Sequence, residues 1–208
     1  MAKNKGRLIV IGGEQKKATA PDPELLAKVA FHAGGAKGRL VVLAAETLPG
    51  ARGAAAYRRA LMNAGAPQVT AIPLKDRHKA EDPKAIAEVE AATGVFLAGD
   101  DPDRLVELLA GTSLAKAIRA AFNRGACVAG TSAGASVLAD RVVAEGATDI
   151  HPRVGLVRLE PGLGFFDRIV IDHHFCEKQR LGRLVTIVAM ERGMLGVGVD
   201  AGTALVVD

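Results

Sequence analysis

The chain has 208 residues, of which 49% are hydrophobic and 24% are charged, so it can bury a full core, and wholesale disorder is excluded. The 27 Lys and Arg residues exceed the 23 Asp and Glu residues by only four, and this charge is too small and scattered to indicate nucleic-acid binding. The two cysteines, Cys127 and Cys176, belong to no CxxC motif or Cys/His cluster. We therefore expect no disulfide, no zinc site and a reducing compartment.

The N-terminal apolar run at 8–11 is too short for the apolar region of a signal peptide. No stretch of the sequence approaches the roughly 20 apolar residues of a membrane helix. We therefore expect a cytoplasmic protein with no membrane partner.

Short β-rich runs alternate with longer Ala-rich amphipathic segments along the whole chain. This order is typical of a three-layer α/β fold, in which helices cover both faces of a mostly parallel sheet. The segment at 141–161 is less regular and predicts either a lid or a pair of edge strands. Strands are predicted at 7–11, 39–44, 68–74, 94–97, 126–129, 168–171, 195–200 and 203–207, and helices at 21–32, 51–64, 82–92, 103–110, 114–123 and 178–192.

A Gly-x-Ser-x-Gly motif, Gly130-Thr131-Ser132-Ala133-Gly134, directly follows a predicted strand and precedes the helical Val137-Leu138-Ala139. Strand, motif and helix in this order are typical of a nucleophile elbow. Such an elbow projects the serine hydroxyl from the carboxyl edge of the sheet, where nearby N–H groups can stabilise an oxyanion. The motif alone leaves a second interpretation open, a small-residue turn at which a helix packs closely on a strand.

Two histidines, His173 and His174, follow the predicted strand at 168–171, on the same carboxyl edge as Ser132. An imidazole at this edge can take the proton of a serine nucleophile. Adjacent residues of a strand point to opposite faces, so only one of the two can face Ser132. A metal pair and ordinary loop histidines are the other interpretations. The metal pair is disfavoured because adjacent strand residues rarely chelate one ion.

A cationic run places Lys178, Arg180 and Arg183 where a helix is predicted to begin. These side chains can bind substrate carboxylates or carbonyls, and a solvated helix face is the alternative. Positive charge in a first helical turn opposes the helix dipole, which favours the binding role.

Two glycine-rich strand ends, Gly12-Gly13-Glu14 and Gly99-Asp100-Asp101, lie at the edge where open α/β sheets bind ligands. Neither is a nucleotide-binding fingerprint.

Several separate motifs recur in one order over nearly the full length, and together they resemble the peptidase family that includes cyanophycinase and the aspartyl dipeptidases. That family has a glutamine-amidotransferase-like α/β sheet with a nucleophile elbow. The motifs are Ile11-Gly12-Gly13-Glu14, Thr93-Gly94-Val95-Phe96 with Gly99-Asp100, Gly111-Thr112-Ser113-Leu114, Ala117-Ile118-Arg119, Ala129 to Gly134, Pro161-Gly162-Leu163-Gly164-Phe165, Asp172-x-His174-Phe175, Arg180-x-x-Arg183-Leu184 and Gly198-Val199-Asp200-x-x-Thr203-Ala204.

The resemblance implies a serine exopeptidase that releases β-aspartyl-arginine dipeptides from cyanophycin, a polymer with an aspartate backbone and arginine side groups. It implies no metal and no organic cofactor. Ser132 would be the nucleophile and His174 the general base, and the N–H groups of Gly99 and Ala133 would form the oxyanion hole. Family members can form dimers, so a homodimer is also expected. The substrate-binding positions would be Asp101, Asp172, His173, Lys178, Arg180 and Arg183.

The sequence departs from the family pattern at the position of the triad acid, where the family has a glutamate and this chain has Ala201. An alanine cannot orient the histidine, and loss of that acceptor costs about 10⁴ in rate in a well-studied serine protease. Asp200, Asp172 or Glu14 are the candidate substitutes.

Further departures are His173 and Asp101, which stand where the family has glutamine and indicate a shifted substrate choice. The family also continues past Val207 with additional strands. We expect residues 1–208 to form a single domain that lacks these strands.

Two alternatives to the active peptidase remain open from the sequence. The first is a catalytically impaired homologue that binds such peptides, as Ala201 suggests. The second is an unrelated hydrolase such as an esterase. Chain order argues against the second, because α/β-hydrolases place an acid between nucleophile and histidine.

Overall fold

The computed structural model describes residues 5–15, 22–45, 53–146, 151–153 and 155–208. The strands are β1 (Leu8–Ile11), β2 (Arg39–Ala45), β3 (Gln68–Leu74), β4 (Gly94–Gly99), β5 (Cys127–Ser132), β6 (Arg141–Gly146), β7 (Val157–Pro161), β8 (Ile169–His173), β9 (Leu195–Val199) and β10 (Ala204–Val207). The helices are α1 (Pro23–His32), α2 (Ala54–Asn63), α3 (Pro83–Glu90), α4 (Pro102–Leu109), α5 (Ser113–Asn123), α6 (Ala133–Ser136) and α7 (Leu181–Met190).

The large sheet has the strand order β10-β1-β5-β4-β2-β3, and all its neighbours pair in parallel except β10, which is antiparallel to β1. Its strands are apolar runs buried on both faces, as parallel sheets require. On one face, side chains such as Val42 and Phe96 pack with α1 and α2. On the other, Leu43 and Leu97 pack with α3 to α6. The predicted three-layer α/β fold is confirmed.

A second, four-stranded sheet has the order β7-β6-β8-β9. The irregular segment forms β6 and β7, which pair antiparallel, so the prediction of strands there is right. Strands β8 and β9 pair with each other in parallel within this second sheet. Val170, Leu184 and Ile187 give this sheet and α7 a small core of their own.

Two helix boundaries differ from the predictions, one after the Gly-x-Ser-x-Gly motif and one in the cationic run. The last helix begins at Leu181 and not at 178, because Gln179 has a φ of 51°, which a helix cannot include. Helix α6 covers 133–136 and not 137–139. The predicted helix starts at 21 and 51 lie outside the described residues.

None of the helices in the described ranges is long and apolar enough to cross a membrane.

Candidate active site

Ser132 ends β5 in a strained backbone conformation, with φ of 52° and ψ of −122°, and α6 begins at the next residue. Non-glycine residues rarely adopt such angles, and the strain costs on the order of 1–3 kcal/mol. The predicted strand, sharp turn and helix are therefore present. A turn of this kind holds the Ser132 hydroxyl at the carboxyl edge of the large sheet.

The glycines of this elbow are required by direct backbone contact. A Cβ on Gly130 would overlap the carbonyl oxygen of Gly134. A Cβ on Gly134 would in turn overlap the carbonyl oxygen of Leu97 on β4. The elbow thus packs backbone against backbone, which explains why the motif has no side chain at either glycine.

The two residues predicted to form the oxyanion hole flank Ser132. Gly99, the last residue of β4, lies opposite Ser132 in the parallel register. Ala133 is buried and opens α6. The structure therefore brings Gly99, Ser132 and Ala133 together. The donation of their N–H groups to an oxyanion stays a prediction.

His174 lies just past the end of β8, with a φ of 47°, and its N–H donates to the carbonyl of Gly12 at 2.8 Å. Its ring packs on Gly13, where a Cβ would overlap the Nε2 and Cε1 atoms. Strand β1 is the neighbour of β5, with Ile11 opposite Thr131, so this ring occupies the same sheet edge as Ser132. Within the described residues no hydrogen bond joins the two side chains. Catalytic hydrogen bonds are often long in ligand-free sites.

The two adjacent histidines take different partners. His173 is buried, and its Nδ1 lies 2.7 Å from the Oγ of Ser136 on α6. The two rings are 5.5 Å apart in a T-shaped arrangement, so they are not on strictly opposite faces. The strand alternation fails here because His174 has left-handed backbone angles and lies beyond β8. The Ser136–His173 bond ties the elbow helix to the strand that leads to His174.

We expect Ser136→Ala to lower the free energy of unfolding by about 1–3 kcal/mol, because it leaves a buried imidazole nitrogen without its partner. Urea denaturation measures this change. Ser113→Ala is the matched control, since the half-buried Ser113 hydroxyl bonds to the exposed Glu81 carboxyl group, and its loss should cost at most about 1 kcal/mol. Equal unfolding midpoints for the two variants would show that the Ser136 bond contributes little.

Both histidines are held neutral by their surroundings. Burial lowers the pKa of His174, the cations Lys178 and Arg180 lower it further, and the Glu177 carboxylate partly opposes them. Burial also lowers the pKa of His173, well below its ordinary value, with a smaller contribution from Arg180. A neutral His174 can accept a proton at neutral pH, as a general base must.

Asp172 forms a buried ion cluster with two arginines. It is 1% exposed, and the Nε of Arg183 donates to its Oδ2 at 2.6 Å while a second Arg183 nitrogen contacts Oδ1. The Nη1 of Arg180 donates to the same Oδ1 at 3.0 Å and to the carbonyl of His173 at 2.6 Å. The carboxylate thus holds both guanidinium groups in place beside His174. Direct contact of Asp172, His173 and Arg183 with substrate stays a prediction.

Three further predicted binding residues have free or partly free polar groups. The Arg180 Nε is buried, and the described structure gives it no hydrogen-bond partner. Lys178 is exposed on the turn after His174, and its N–H donates to the His174 carbonyl at 3.0 Å. Asp101 caps α4 by accepting the N–H of Asp103 at 2.9 Å, and it remains exposed. Their contact with substrate also stays a prediction.

Ala201 is buried in the loop between β9 and β10, and its N–H donates to both carboxylate oxygens of Glu177 at 3.2 Å. Glu177 and Ser136 were not predicted as site residues. Their spacings could have indicated a role, since Glu177 follows His174 by three residues and Ser136 follows Ser132 by four, about one helical turn in each case.

Among the described residues, no group of three or more His, Cys, Asp and Glu side chains could hold a metal ion.

Residues 44–208, most of the chain, match the model of peptidase family S51. The chain belongs to peptidase family S51. It is 32% identical over 203 residues to a cyanophycinase of Trichormus variabilis, covering 97% of this chain and 67% of that protein. It is 33% identical over 202 residues to a cyanophycinase of Thermosynechococcus vestitus, covering 96% and 62%. The chain thus spans about two thirds of the length of these relatives.

A solved peptidase structure from an acI-B1 actinobacterium has the same fold, with a TM-score of 0.69 at 22% identity, and covers 99% of this chain and 84% of that one. The resemblance derived from the sequence motifs is confirmed by the S51 match. As an S51 member the chain is a serine-type peptidase.

Proposed function

We propose that this S51 peptidase cleaves cyanophycin-type β-aspartyl peptides and releases β-Asp-Arg dipeptides, with Ser132 as nucleophile and His174 as general base. The observation that carries the proposal is the shared sheet edge, where the strained Ser132 elbow faces the end of β1 on which the His174 ring packs. The curated relatives named cyanophycinase support the substrate class.

The reaction would follow the usual two steps of a serine peptidase. His174 takes the Ser132 proton as the hydroxyl oxygen attacks the scissile carbonyl, and the N–H groups of Gly99 and Ala133 donate to the resulting oxyanion. The imidazolium then protonates the leaving amine, which breaks the C–N bond and leaves an acyl-enzyme. Water, deprotonated by His174, attacks the ester and regenerates Ser132.

The charges around the site complement a zwitterionic Asp-Arg unit. Lys178 would bind a substrate carboxylate, with the buried Arg180 guanidinium adding positive charge behind it, and Asp101 would accept the substrate guanidinium. Asp172 and Arg183 would hold Arg180 in its orientation from behind.

Incubation with purified cyanophycin, followed by quantification of β-Asp-Arg by mass spectrometry, tests this proposal. An α-linked Asp-Arg peptide is the control substrate and should not be cleaved. Cleavage of free β-aspartyl dipeptides without release from the polymer would restrict the substrate to short peptides. Cleavage of the α-linked peptide alone would contradict the proposal.

A second candidate function follows from Ala201, which leaves the usual triad position without a carboxylate. In this alternative the chain binds such peptides without turning them over. Calorimetric binding of β-Asp-Arg oligomers by a protein that releases no dipeptide would favour it.

Activity should persist to a lower pH than an ordinary histidine base allows. Because the pKa of His174 is lowered below its usual value of about 6.5, the acid limb of kcat/KM should lie below pH 6.5. Lys178→Gln removes one of the cations that lower this pKa and should move the limb to higher pH. A pH profile of dipeptide release measures both, and a limb that lies above 6.5 in the unmodified enzyme would contradict the assignment of His174.

A further inference from the structure

A histidine base in a serine peptidase works best when a carboxylate orients it and stabilises the imidazolium that forms. Ala201 supplies none. The candidates are Asp172, Asp200 and Glu14, which the sequence offers, and Glu177, whose carboxylate acts on the His174 charge.

Three of these carboxylates bind groups other than the N–H of Ala201. Asp172 is bound by Arg180 and Arg183 inside the buried ion cluster. Asp200 accepts the N–H of Cys176 at 2.9 Å, and hydrogen bonds from Cys176 lower the pKa of this carboxyl group. Glu14 accepts the hydroxyl of Tyr57 at 3.2 Å, on the side of the sheet where α2 packs.

The remaining carboxylate, that of the exposed Glu177, is held at the main chain of Ala201, the residue at the triad-acid position. Both its oxygens accept the N–H of Ala201 at 3.2 Å. The loop containing Ala201 is joined to Gly13, because the Gly202 N–H donates to the Gly13 carbonyl at 2.9 Å. The His174 ring packs on that same Gly13. The Ala201 loop therefore links the Glu177 carboxylate to the backbone on which the His174 ring packs, and in the described residues no hydrogen bond joins Glu177 to the ring itself.

The chain between His174 and Glu177 is also fixed. The carbonyl of His174 accepts the N–H of Lys178 at 3.0 Å, so the turn that carries Glu177 folds back on the histidine. Asp200 holds the middle of this turn through Cys176. These hydrogen bonds fix the backbone of the turn that carries Glu177.

We propose that Glu177 is a positioning residue that replaces the missing triad acid, orienting the neutral His174 ring and stabilising its protonated form during proton transfer. This inference rests on the proposed function, and it adds a residue that acts through His174. The charged groups that act on His174 are the cations Lys178 and Arg180 and the anion Glu177, and the neutral His173 ring lies 5.5 Å away.

Glu177→Gln separates this role from a structural one. The amide oxygen can still accept the Ala201 N–H, so the loop keeps its hydrogen bond while the charge is lost. We expect kcat/KM to fall between about 10-fold and 10⁴-fold, with the upper value set by loss of the triad acid in a serine protease. We also expect the His174 pKa, followed by NMR titration of the imidazole, to fall. Unchanged kcat/KM and titration would overturn the inference.

Glu90→Gln is the matched control, because Glu90 is exposed at the end of α3, far along the sequence from the site. It removes the same charge from the protein. This variant should keep the activity and the His174 titration of the unmodified protein.

A variant pair gives a second test. If Glu177 supplies the missing carboxylate, then Ala201→Glu should restore most of the activity lost in Glu177→Gln. The effect of Glu177→Gln should shrink to less than about threefold in the Ala201→Glu background, since coupled residues are non-additive. An equal loss in both backgrounds would overturn the inference.

Failure of the proposed substrate would be distinguishable from failure of this inference. If no β-aspartyl peptide is cleaved, the rate at which a fluorophosphonate labels Ser132 still reports on activation of the nucleophile, and the imidazole titration still reports on the Glu177 charge. Slower labelling and a lower His174 pKa in Glu177→Gln would support the positioning role. No change in either would overturn it.

Discussion

Ser132→Ala should reduce peptide hydrolysis by about 10⁴ to 10⁶ in kcat, the range found when a serine nucleophile is removed from a peptidase. Without the hydroxyl no acyl-enzyme can form, while the oxyanion donors and the binding residues remain. The residual rate should be that of a site which only binds and polarises its substrate. Dipeptide release by the purified variant, measured over long incubations, gives the size of the loss.

The fold should survive this change, because alanine adds no atoms to the elbow. Its unfolding midpoint should match that of the unmodified protein, which excludes misfolding as the cause of inactivity. Ser113→Ala, at the start of α5, provides an activity control and should retain full turnover. Turnover within tenfold of normal in Ser132→Ala would show that another group attacks the carbonyl.

Asp172→Asn should produce the largest loss of stability, about 3–5 kcal/mol, because it leaves two buried guanidinium groups without their anion. The variant keeps the shape and one hydrogen-bond acceptor of the side chain, so the loss reports on charge. For a chain of this length the melting temperature should fall by roughly 6–20 °C. Thermal unfolding followed by circular dichroism measures it.

Glu107→Gln is the comparison for that prediction. Its ion pair with Arg104 has a similar separation, 2.7 Å, but the Glu107 side chain is 66% exposed. Exposed pairs contribute at most about 1 kcal/mol, so this variant should lose little stability. Equal losses for Asp172→Asn and Glu107→Gln would mean that water reaches the buried cluster.

The nucleophile elbow was predictable because its sequence pattern is local. The apolar strand, the two glycines and the small residues that follow lie within ten positions, although Gly134 is required by the distant backbone of Leu97. The parallel order of the large sheet was predictable for the same reason, since alternating strands and helices leave few other topologies.

The division into two sheets was not predictable from the sequence pattern. Strand β8 begins with an apolar run like those of the large sheet, and nothing local shows that it pairs with β9. The hydrogen-bond partners of the polar site residues could not be predicted from the sequence either. The Ser136–His173 bond joins residues 37 positions apart, and the Glu177 contact joins residues 24 positions apart, so both depend on how the sheets meet.

The start of the last helix is a third feature that the sequence did not predict correctly. The cationic run reads as a first helical turn, yet Lys178 lies in a turn and only Arg183 lies in α7. The argument from an unfavourable helix dipole therefore applies to fewer charges than expected. A single left-handed residue, Gln179, decides the boundary, and a glutamine gives no sign of that conformation.

The two halves of the site are held by different kinds of contact, and this difference affects which residues can change as such an enzyme diverges. The half with Ser132 is fixed by main-chain contacts that only glycine permits, so it tolerates almost no change. The turn with His174 is held by backbone hydrogen bonds and by side chains, among them Asp200 and Glu177. A side-chain contact can be replaced from a neighbouring position, whereas a contact between main chains cannot, so a change such as an alanine at position 201 is easier to accommodate around the base than at the elbow.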